Sequence, residues 1–280
     1  MTPPTERKIV REFYRDMPFN YYETAETAVA NLRNNPIAAY PDLDALLEED
    51  EIETVLEIGC GAGWASNAMA LHYGKRVTAV DFTEKALQRA AEVAQRIGTA
   101  DKLSFVHNDL FAFDTDARFD LVLSIGVLHH TDDCRAAFDH IVKFIKPGGV
   151  LFLGLYHLYG RRPFLDLLQG ICAAEGKEAA LARFRTMTPD IEDETHLRSW
   201  FRDQVVHPHE TQHTLEQVMG WLDEAGLELA STNINGYDDP SDRAALIARE
   251  KQFEALSIRY NVEQNRYFPG FFTVLAEKPE

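Results

Sequence analysis

Apolar and polar positions change their period several times along this chain, and the changes define alternating strands and helices. Between residues 53 and 155, short apolar runs of strand length are separated by segments with apolar residues at three- and four-residue spacing. Strands are predicted at 55–58, 77–80, 103–106, 119–124 and 150–155, and helices at 65–73, 84–96 and 133–146. Such alternation with short connections is typical of a parallel sheet covered by helices on both faces.

The chain on either side of this region has a different pattern. Residues 1–50 are predicted to be a helical lead-in or lid, rich in aromatic residues and interrupted by prolines. The predicted division is a lid at 1–50, a cofactor-binding core at 51–155, a helical cap insertion at 156–207 and the rest of the core at 208–280. The last part has a predicted helix at 214–225, strands at 227–233 and 271–276, and a helical insertion at about 236–267.

Composition excludes several classes of function. The 280 residues carry a formal net charge of −17, so phosphate backbones repel the surface and nucleic acid is not expected as a partner. No apolar run approaches the roughly 20 residues of a membrane span, and residues 1–16 lack the apolar segment of a signal peptide. Three dispersed cysteines form no zinc or disulfide pattern. We expect a cytoplasmic protein with no membrane partner and no metal.

A glycine-rich turn follows the first predicted strand. Gly59, Gly61 and Gly63 lie within five residues, a density that indicates positive φ or close approach of a ligand. A strand that runs through such a turn into a helix is a common site for nucleotide-type cofactors. Trp64 stands where the dinucleotide fingerprint has its third glycine, and no Gly-Lys-Ser/Thr follows. The turn therefore fits a nucleoside ligand without phosphate.

Acidic residues follow the next two predicted strands. Asp81 lies 22 residues after Gly59, close to the spacing of about 20 expected for a carboxylate that binds ribose hydroxyls. Asp109 follows strand 3 and can accept a hydrogen bond from an adenine amine, with Phe82 and Leu110 on either side of the base. Both aspartates have a purely structural alternative as helix caps.

Five segments in this order resemble class I S-adenosylmethionine-dependent methyltransferases: VLEIGCGAGW, VTAVDF, FVHNDL, FDLVLSIGVLHH and IKPGGVL. The resemblance covers about residues 53–155. It implies S-adenosylmethionine as cofactor and a doubly wound, seven-stranded, mostly parallel α/β sheet of Rossmann-like order 3-2-1-4-5-7-6, with helical cap insertions. It also implies that Glu57 and the three glycines hold the methionyl part, Asp81 the ribose, and Phe82, Asp109 and Leu110 the adenine. Ser124 would face the methionyl amino group.

The two predicted insertions follow strands 5 and 6, so both should emerge at the cofactor edge of the sheet and enclose a small-molecule substrate. One of them could instead be the arm of a homodimer. Histidine is the natural base if the methyl acceptor arrives protonated. The catalytic candidates are His129, His130 and His207, and the substrate-binding candidates are Tyr22, Tyr156, His157 and His209.

Four of these candidates have a structural alternative. His129 and His130 could pack beneath the site, and His207 and His209 could belong to a turn before the next helix. A metal site of His207, His209, Glu210 and His213 is disfavoured because Pro208 interrupts helical spacing and the reaction needs no metal. The expected reaction is methyl transfer to oxygen or nitrogen of a small molecule. The alternatives are a carbon- or sulfur-directed enzyme, a non-catalytic S-adenosylmethionine-binding regulatory protein, and a nicotinamide enzyme.

Overall fold

Seven strands form one sheet in the order β3-β2-β1-β4-β5-β7-β6, which confirms the predicted topology. The computed structural model describes residues 6–280, with side chains from residue 8 onward. Neighbouring strands are parallel except β7, which runs antiparallel to β5 and β6. The strands are β1 (Thr54–Ile58), β2 (Arg76–Asp81), β3 (Leu103–His107), β4 (Phe119–Ile125), β5 (Ile145–Tyr156), β6 (Glu228–Thr232) and β7 (Phe271–Glu277).

Helices cover both faces of the sheet and fill the connections at its carboxyl edge. The lead-in forms α1 (Glu6–Asp16), α2 (Ala25–Leu32) and α3 (Pro41–Glu48). The helices within the sheet region are α4 (Trp64–His72), α5 (Glu84–Ile97), α6 (Cys134–Ile141) and α10 (Leu215–Ala225). The segment after β5 forms α7 (Leu158–Glu175), α8 (Lys177–Met187) and α9 (Glu194–Val205). The segment after β6 forms α11 (Arg243–Glu250), α12 (Phe253–Ser257) and a π-helical stretch, Ile258–Glu263.

Short polar side chains set the starts of several helices. The side chains of Thr24, Asp133, Asp193 and Thr214 each accept a hydrogen bond from a backbone N–H of the first turn that follows. Such caps satisfy donors that the helix itself leaves unpaired, and each contributes about 1 kcal/mol.

Two apolar layers sandwich the sheet because successive strand residues point to opposite faces. Leu56 and Ile58 of β1 face the layer that contains α6 and α10. Val55 faces the layer that contains α3, α4 and α5. A third, smaller cluster joins α7, α8 and α9 around Phe164, so the segment after β5 has its own apolar core.

The helix predicted at 133–146 is too long. α6 ends at Ile141, one 3₁₀ turn (Val142–Phe144) follows, and β5 already begins at Ile145. Phe119 pairs with Ile145 whereas Leu121 pairs with Val150, so the Pro-Gly-Gly segment is accommodated as an irregularity inside the strand. Buried apolar residues at 144 and 145 fit a helix face and a strand equally well, which is why the spacing misleads here.

No helix among the described residues is long and apolar enough to cross a membrane.

Candidate active site

The three glycines after β1 are each required for a different reason. All have positive φ: 75° at Gly59, 52° at Gly61 and 77° at Gly63. A Cβ on Gly59 would lie 2.4 Å from a methyl group of Val127, and one on Gly63 would lie 2.6 Å from the Cβ of Ala90 on α5. At Gly61 the nearest atom is 4.0 Å away, so this glycine leaves its side open. The turn thus packs tightly at both ends and exposes its middle to the cavity.

Asp81 holds this turn from the end of β2. One carboxylate oxygen accepts the Gly61 N–H at 2.9 Å, and the other accepts the Thr83 N–H at 2.7 Å. Burial raises the pKa of Asp81, and the two backbone donors oppose that shift. Each oxygen retains a further lone pair, so Asp81 can still accept hydrogen bonds from a ligand while it fixes the turn.

Glu57 lies at the end of β1 and is 4% exposed. Its carboxyl group accepts a hydrogen bond from the Ser66 hydroxyl of α4. Burial raises the pKa of Glu57 to about 7; the Ser66 bond lowers it and the charge of Asp81 raises it further. A cation placed beside Glu57 would reverse the effect of burial.

Asp109 lies after β3, where a backbone N–H two residues further on and a side chain of α1 both contact it. Its carboxylate accepts the Phe111 N–H at 3.0 Å and forms an ion pair with Arg11 of α1 at 3.1 Å. The Arg11 guanidinium also lies 5.8 Å from the ring centroid of Phe82. The lead-in helix therefore reaches over two of the three residues predicted to contact adenine, Phe82 and Asp109.

One cavity of about 1120 Å³, including its open mouth, unites most of the predicted cofactor residues. Gly63 and Ser124 are not among its lining residues. Gly63 borders a second, smaller cavity of about 480 Å³, and the Ser124 hydroxyl points inward and donates to the carbonyl of Ile58 at 3.3 Å. The lining residues that were predicted for the cofactor are Glu57, Gly59, Gly61, Asp81, Phe82, Asp109 and Leu110.

His130 and Tyr14 also line this cavity. His130 belongs to a 3₁₀ turn after β4, and its Nδ1–H donates to the carbonyl of His209 at 2.9 Å. Burial lowers the pKa of His130 to about 3, so the imidazole is neutral near pH 7. His129 is fully buried beneath, stacked on Tyr156 with ring centroids 3.9 Å apart, and does not line the cavity.

A buried carboxylate that the sequence reasoning missed, Asp203 of α9, lies behind His130. It accepts hydrogen bonds from the Tyr14 hydroxyl at 2.5 Å, the Tyr156 hydroxyl at 3.1 Å and the Gln204 amide at 3.0 Å. Its nearer oxygen is 3.9 Å from His130 Nε2. Burial raises the pKa of Asp203, whereas nearby His207 and the Tyr14 hydrogen bond lower it.

The remaining candidates divide into two groups. Tyr156, His207 and His209 all lie around His130: the ring of His207 is 3.8 Å from that of His130, and His209 Nε2–H donates to the carbonyl of Thr131 at 3.0 Å.

The other two candidates lie elsewhere. His157 is fully buried, with its ring bonded to Glu250 at 3.1 Å. Tyr22 stacks on His196, 4.1 Å away between centroids, and lines the smaller cavity. None of these five candidates, Tyr22, Tyr156, His157, His207 and His209, contributes to the wall of the large cavity.

Arg161 of α7 connects Tyr156, Gln204 and Glu210. The fully buried guanidinium forms two hydrogen bonds to Glu210, at 3.1 and 2.8 Å, and another to Gln204 at 2.9 Å. It also lies 3.7 Å from the ring centroid of Tyr156. Because Glu210 is engaged with Arg161, and the ring of His213 is bonded to Thr211 and Gln217, the metal set considered from sequence is not assembled.

Comparison with known proteins agrees with this geometry. Residues 55–149 match a family model described as a methyltransferase domain. A ubiquinone biosynthesis O-methyltransferase from Idiomarina loihiensis is 35% identical over 121 residues, 43% of this chain and 48% of the relative. A 27-O-demethylrifamycin SV methyltransferase from Amycolatopsis mediterranei is 25% identical over 242 residues, 81% of this chain and 78% of the relative. The match spans about half the length of the first curated relatives, 46 to 48%.

Solved structures share the fold. Magnesium protoporphyrin IX methyltransferase from Synechocystis PCC 6803, crystallised with S-adenosylmethionine, aligns with a TM-score of 0.55 at 15% identity over 99% of both chains. The strand order is therefore that of the class I S-adenosylmethionine-dependent methyltransferase fold, and residues 55–149 form a methyltransferase domain of that class. The cofactor expected from the sequence is that of the class.

Proposed function

We propose that the chain transfers a methyl group from S-adenosylmethionine to an oxygen or nitrogen of a small molecule by in-line displacement. The observation that carries the proposal is the shared cavity: the predicted donor residues and the His130–Tyr14 wall line the same space. A methyl donor bound along the glycine turn can then meet an acceptor held at that wall.

The donor roles follow from the contacts at the strand ends. Glu57 and the backbone around Gly59 and Gly61 bind the methionyl part, since a buried carboxylate favours an ammonium partner. Asp81 binds the ribose hydroxyls, and Asp109 binds the adenine amine. The Ser124 side chain is not assigned to the donor, because its hydroxyl is bonded within the sheet.

The lead-in and the segment after β5 form the cover of the acceptor space. Tyr14 is bonded to Asp203 of α9, and the Tyr21 N–H donates to Ser199 of α9 at 3.2 Å. Arg202 in turn donates to the carbonyl of Phe13 at 3.0 Å. An enclosed space of this kind suits a small acceptor, aligns it with the methyl group and excludes water.

The names of the relatives favour oxygen without fixing it. Two of them are named as methyltransferases of ubiquinone biosynthesis and of a demethylrifamycin, whereas a Gibberella zeae relative, 32% identical over 103 residues, is named a sterol 24-C-methyltransferase. A carbon or sulfur acceptor therefore stands as the alternative within the class. A binding protein without transfer activity is the alternative outside it.

The test is transfer of a deuterium-labelled methyl group from S-adenosylmethionine to a small-metabolite extract, followed by mass spectrometry. We expect labelled products with the wild type, strongly reduced formation with Asp81→Ala, and wild-type formation with the exposed control Asp101→Ala. If the protein binds S-adenosylhomocysteine but labels nothing, the proposal fails in favour of the binding protein. Labelled carbon or sulfur products would replace the acceptor assignment.

A further inference from the structure

Four side chains beyond the donor form a cluster that methyl-donor binding does not explain: His130, His207, Asp203 and Tyr14. They come from the turn after β4, the loop after α9, α9 itself and α1. One polar atom each of His130, Asp203 and His207 lies within 4.8 Å of the others. We call this group the acceptor cluster.

The two imidazoles of the acceptor cluster present opposite polarities. Nδ1 of His130 faces the carbonyl oxygen of His209, so it carries the hydrogen and Nε2 has a free lone pair. Nδ1 of His207 accepts the N–H of His209 at 3.1 Å, so the hydrogen of this neutral ring is on Nε2. Nε2 of His130 is thus a buried acceptor, and Nε2 of His207 is a buried donor.

Neither Nε2 atom has a hydrogen-bond partner among the described residues, and both are shielded from solvent. A buried polar atom without a partner costs about 1–3 kcal/mol, so two in one cluster point to a ligand that supplies both bonds. A single oxygen at about 2.8 Å from each nitrogen would supply both bonds.

A metal ion is the obvious rival, since two histidines and one carboxylate are a familiar ligand set. The His130 ring is oriented as a ligand would be, with its other nitrogen on a carbonyl. His207 does not fit: its Nε2 would have to give up its hydrogen while Nδ1 still accepts from His209.

We propose that the acceptor cluster binds the reacting hydroxyl of an alcohol or phenol, with His130 as the general base. The proposal rests on the methyltransferase function proposed above and narrows its acceptor. A hydroxyl can donate to His130 Nε2, accept from His207 Nε2–H with one lone pair and attack with the other. A neutral amine has one lone pair and cannot both accept and attack, and a carboxylate has no hydrogen for His130.

The step balances without a further reactant. A lone pair of the hydroxyl oxygen forms the bond to the methyl carbon while the carbon–sulfur bond breaks and its electron pair remains on sulfur. The hydroxyl proton moves to His130 Nε2. The products are a methyl ether, S-adenosylhomocysteine and an imidazolium, which returns its proton to solvent after release.

Asp203 is the positioning residue for this step. Its oxygen, 3.9 Å from His130 Nε2, places a negative charge where the imidazolium forms. Tyr14, Tyr156 and Gln204 hold that carboxylate in place. Tyr14 also lines the cavity, so α1 belongs both to the cover of the site and to the hydrogen-bond network around Asp203.

The first experiment uses the full chain, deuterium-labelled S-adenosylmethionine and a small-metabolite extract. We expect a labelled product whose methyl group is on oxygen and survives mild alkali, which hydrolyses methyl esters but not ethers. His130→Ala should lower the rate of labelled-product formation about 100-fold or more while affinity for S-adenosylhomocysteine is retained, and added imidazole should restore part of the rate. His207→Ala should lower the same rate about tenfold.

His140→Ala is the matched control, because His140 lies on α6 with its ring bonded to the carbonyl of Phe113. A labelled ester, amine or thioether would overturn the hydroxyl assignment and leave the methyltransferase proposal intact. If the hydroxyl assignment and the methyltransferase proposal are both wrong, the wild type gives no labelled product. Rescue of His130→Ala by imidazole distinguishes a base from a packing residue, and its failure in a folded variant would overturn the base.

A second measurement does not depend on turnover. Nitrogen NMR of histidine-labelled protein with S-adenosylhomocysteine should show a bare Nε2 in His130 and a hydrogen-bearing Nε2 in His207, and the reverse pattern would overturn the proposal. Elemental analysis and titration with Zn²⁺ or Co²⁺ alone test the rival. Stoichiometric metal that disappears in both His130→Ala and His207→Ala would replace the hydroxyl site with a metal site.

Discussion

The buried carboxyl of Glu57 should give protein stability and donor binding opposite dependences on pH. Its pKa of about 7 lies above the ordinary 4.5 because burial disfavours the charged form. The folded state therefore keeps a proton that the unfolded state has lost, and stability contributed by this group is lost as pH rises from 4.5 through 7. At about 1.36 kcal/mol per pKa unit the whole effect is about 3 kcal/mol, of which about 2 kcal/mol falls between about pH 5.5 and 7.5.

Donor binding should have the reverse dependence. The ammonium of the methionyl part interacts with the ionised form of Glu57, so only the deprotonated fraction is competent. With a pKa of about 7 the apparent Kd for S-adenosylhomocysteine should be about tenfold weaker near pH 6 than near pH 8.

The assay pairs denaturant unfolding of the ligand-free protein, at about pH 5.5 and 7.5, with calorimetric titration of S-adenosylhomocysteine, near pH 6 and pH 8. Glu57→Gln keeps an acceptor for Ser66 and removes the titration. Asp81, whose pKa is also raised by burial, is present in both proteins, so their difference isolates Glu57. Equal pH slopes for the wild type and Glu57→Gln, in stability or in affinity, would refute the reasoning.

Two further predictions concern the architecture. Gly63→Ala should destabilise the protein by about 1–3 kcal/mol more than Gly236→Ala in denaturant unfolding, because both glycines have a φ of 77° but only a Cβ at 63 meets Ala90, at 2.6 Å. Equal losses of stability in Gly63→Ala and Gly236→Ala would mean that the positive φ alone determines the cost. Arg161→Met should cost about 3–5 kcal/mol by leaving the largely shielded carboxylate of Glu210, 12% exposed, unpaired, whereas Arg185→Met at an exposed ion pair should cost less than about 1 kcal/mol. Similar Tm values for these two variants would contradict the role given to Arg161.

The fold was predictable because each local signal agreed with the next. Apolar strand runs, the glycine turn and acids at successive strand ends recur in one order, and parallel strands bring their carboxyl ends together. This is why Asp81 and Asp109 could be placed at one edge from sequence alone, and both line the same cavity.

Alternation along the strands explains the candidates that lie elsewhere. Tyr156 and His157 are neighbours at the end of β5, so their side chains point to opposite faces: the first reaches Asp203 and the second reaches Glu250 in the interior. The same alternation along β4 separates Ser124, which points inward, from Ile125, which lines the cavity. Nearness to a strand end did not fix the direction of either side chain.

The acceptor cluster could not be derived from sequence because its contacts are long-range. Tyr14 and Asp203 are 189 residues apart, and Asp203 lies in a helix whose pattern gives no functional signal. His130 and His207 were candidates, but only the backbone of His209, which bonds to both rings, gives them opposite polarities.

The most direct test of the donor site is a calorimetric comparison of S-adenosylhomocysteine with NAD⁺, for the wild type and Asp81→Ala. The site described here predicts that S-adenosylhomocysteine binds and NAD⁺ does not compete. Asp81→Ala should weaken that binding by about 1.5–3 kcal/mol, or about 10- to 150-fold, since Asp81 is assigned both the ribose and the glycine turn. Tighter binding of NAD⁺, or an unchanged affinity in Asp81→Ala, would contradict the account.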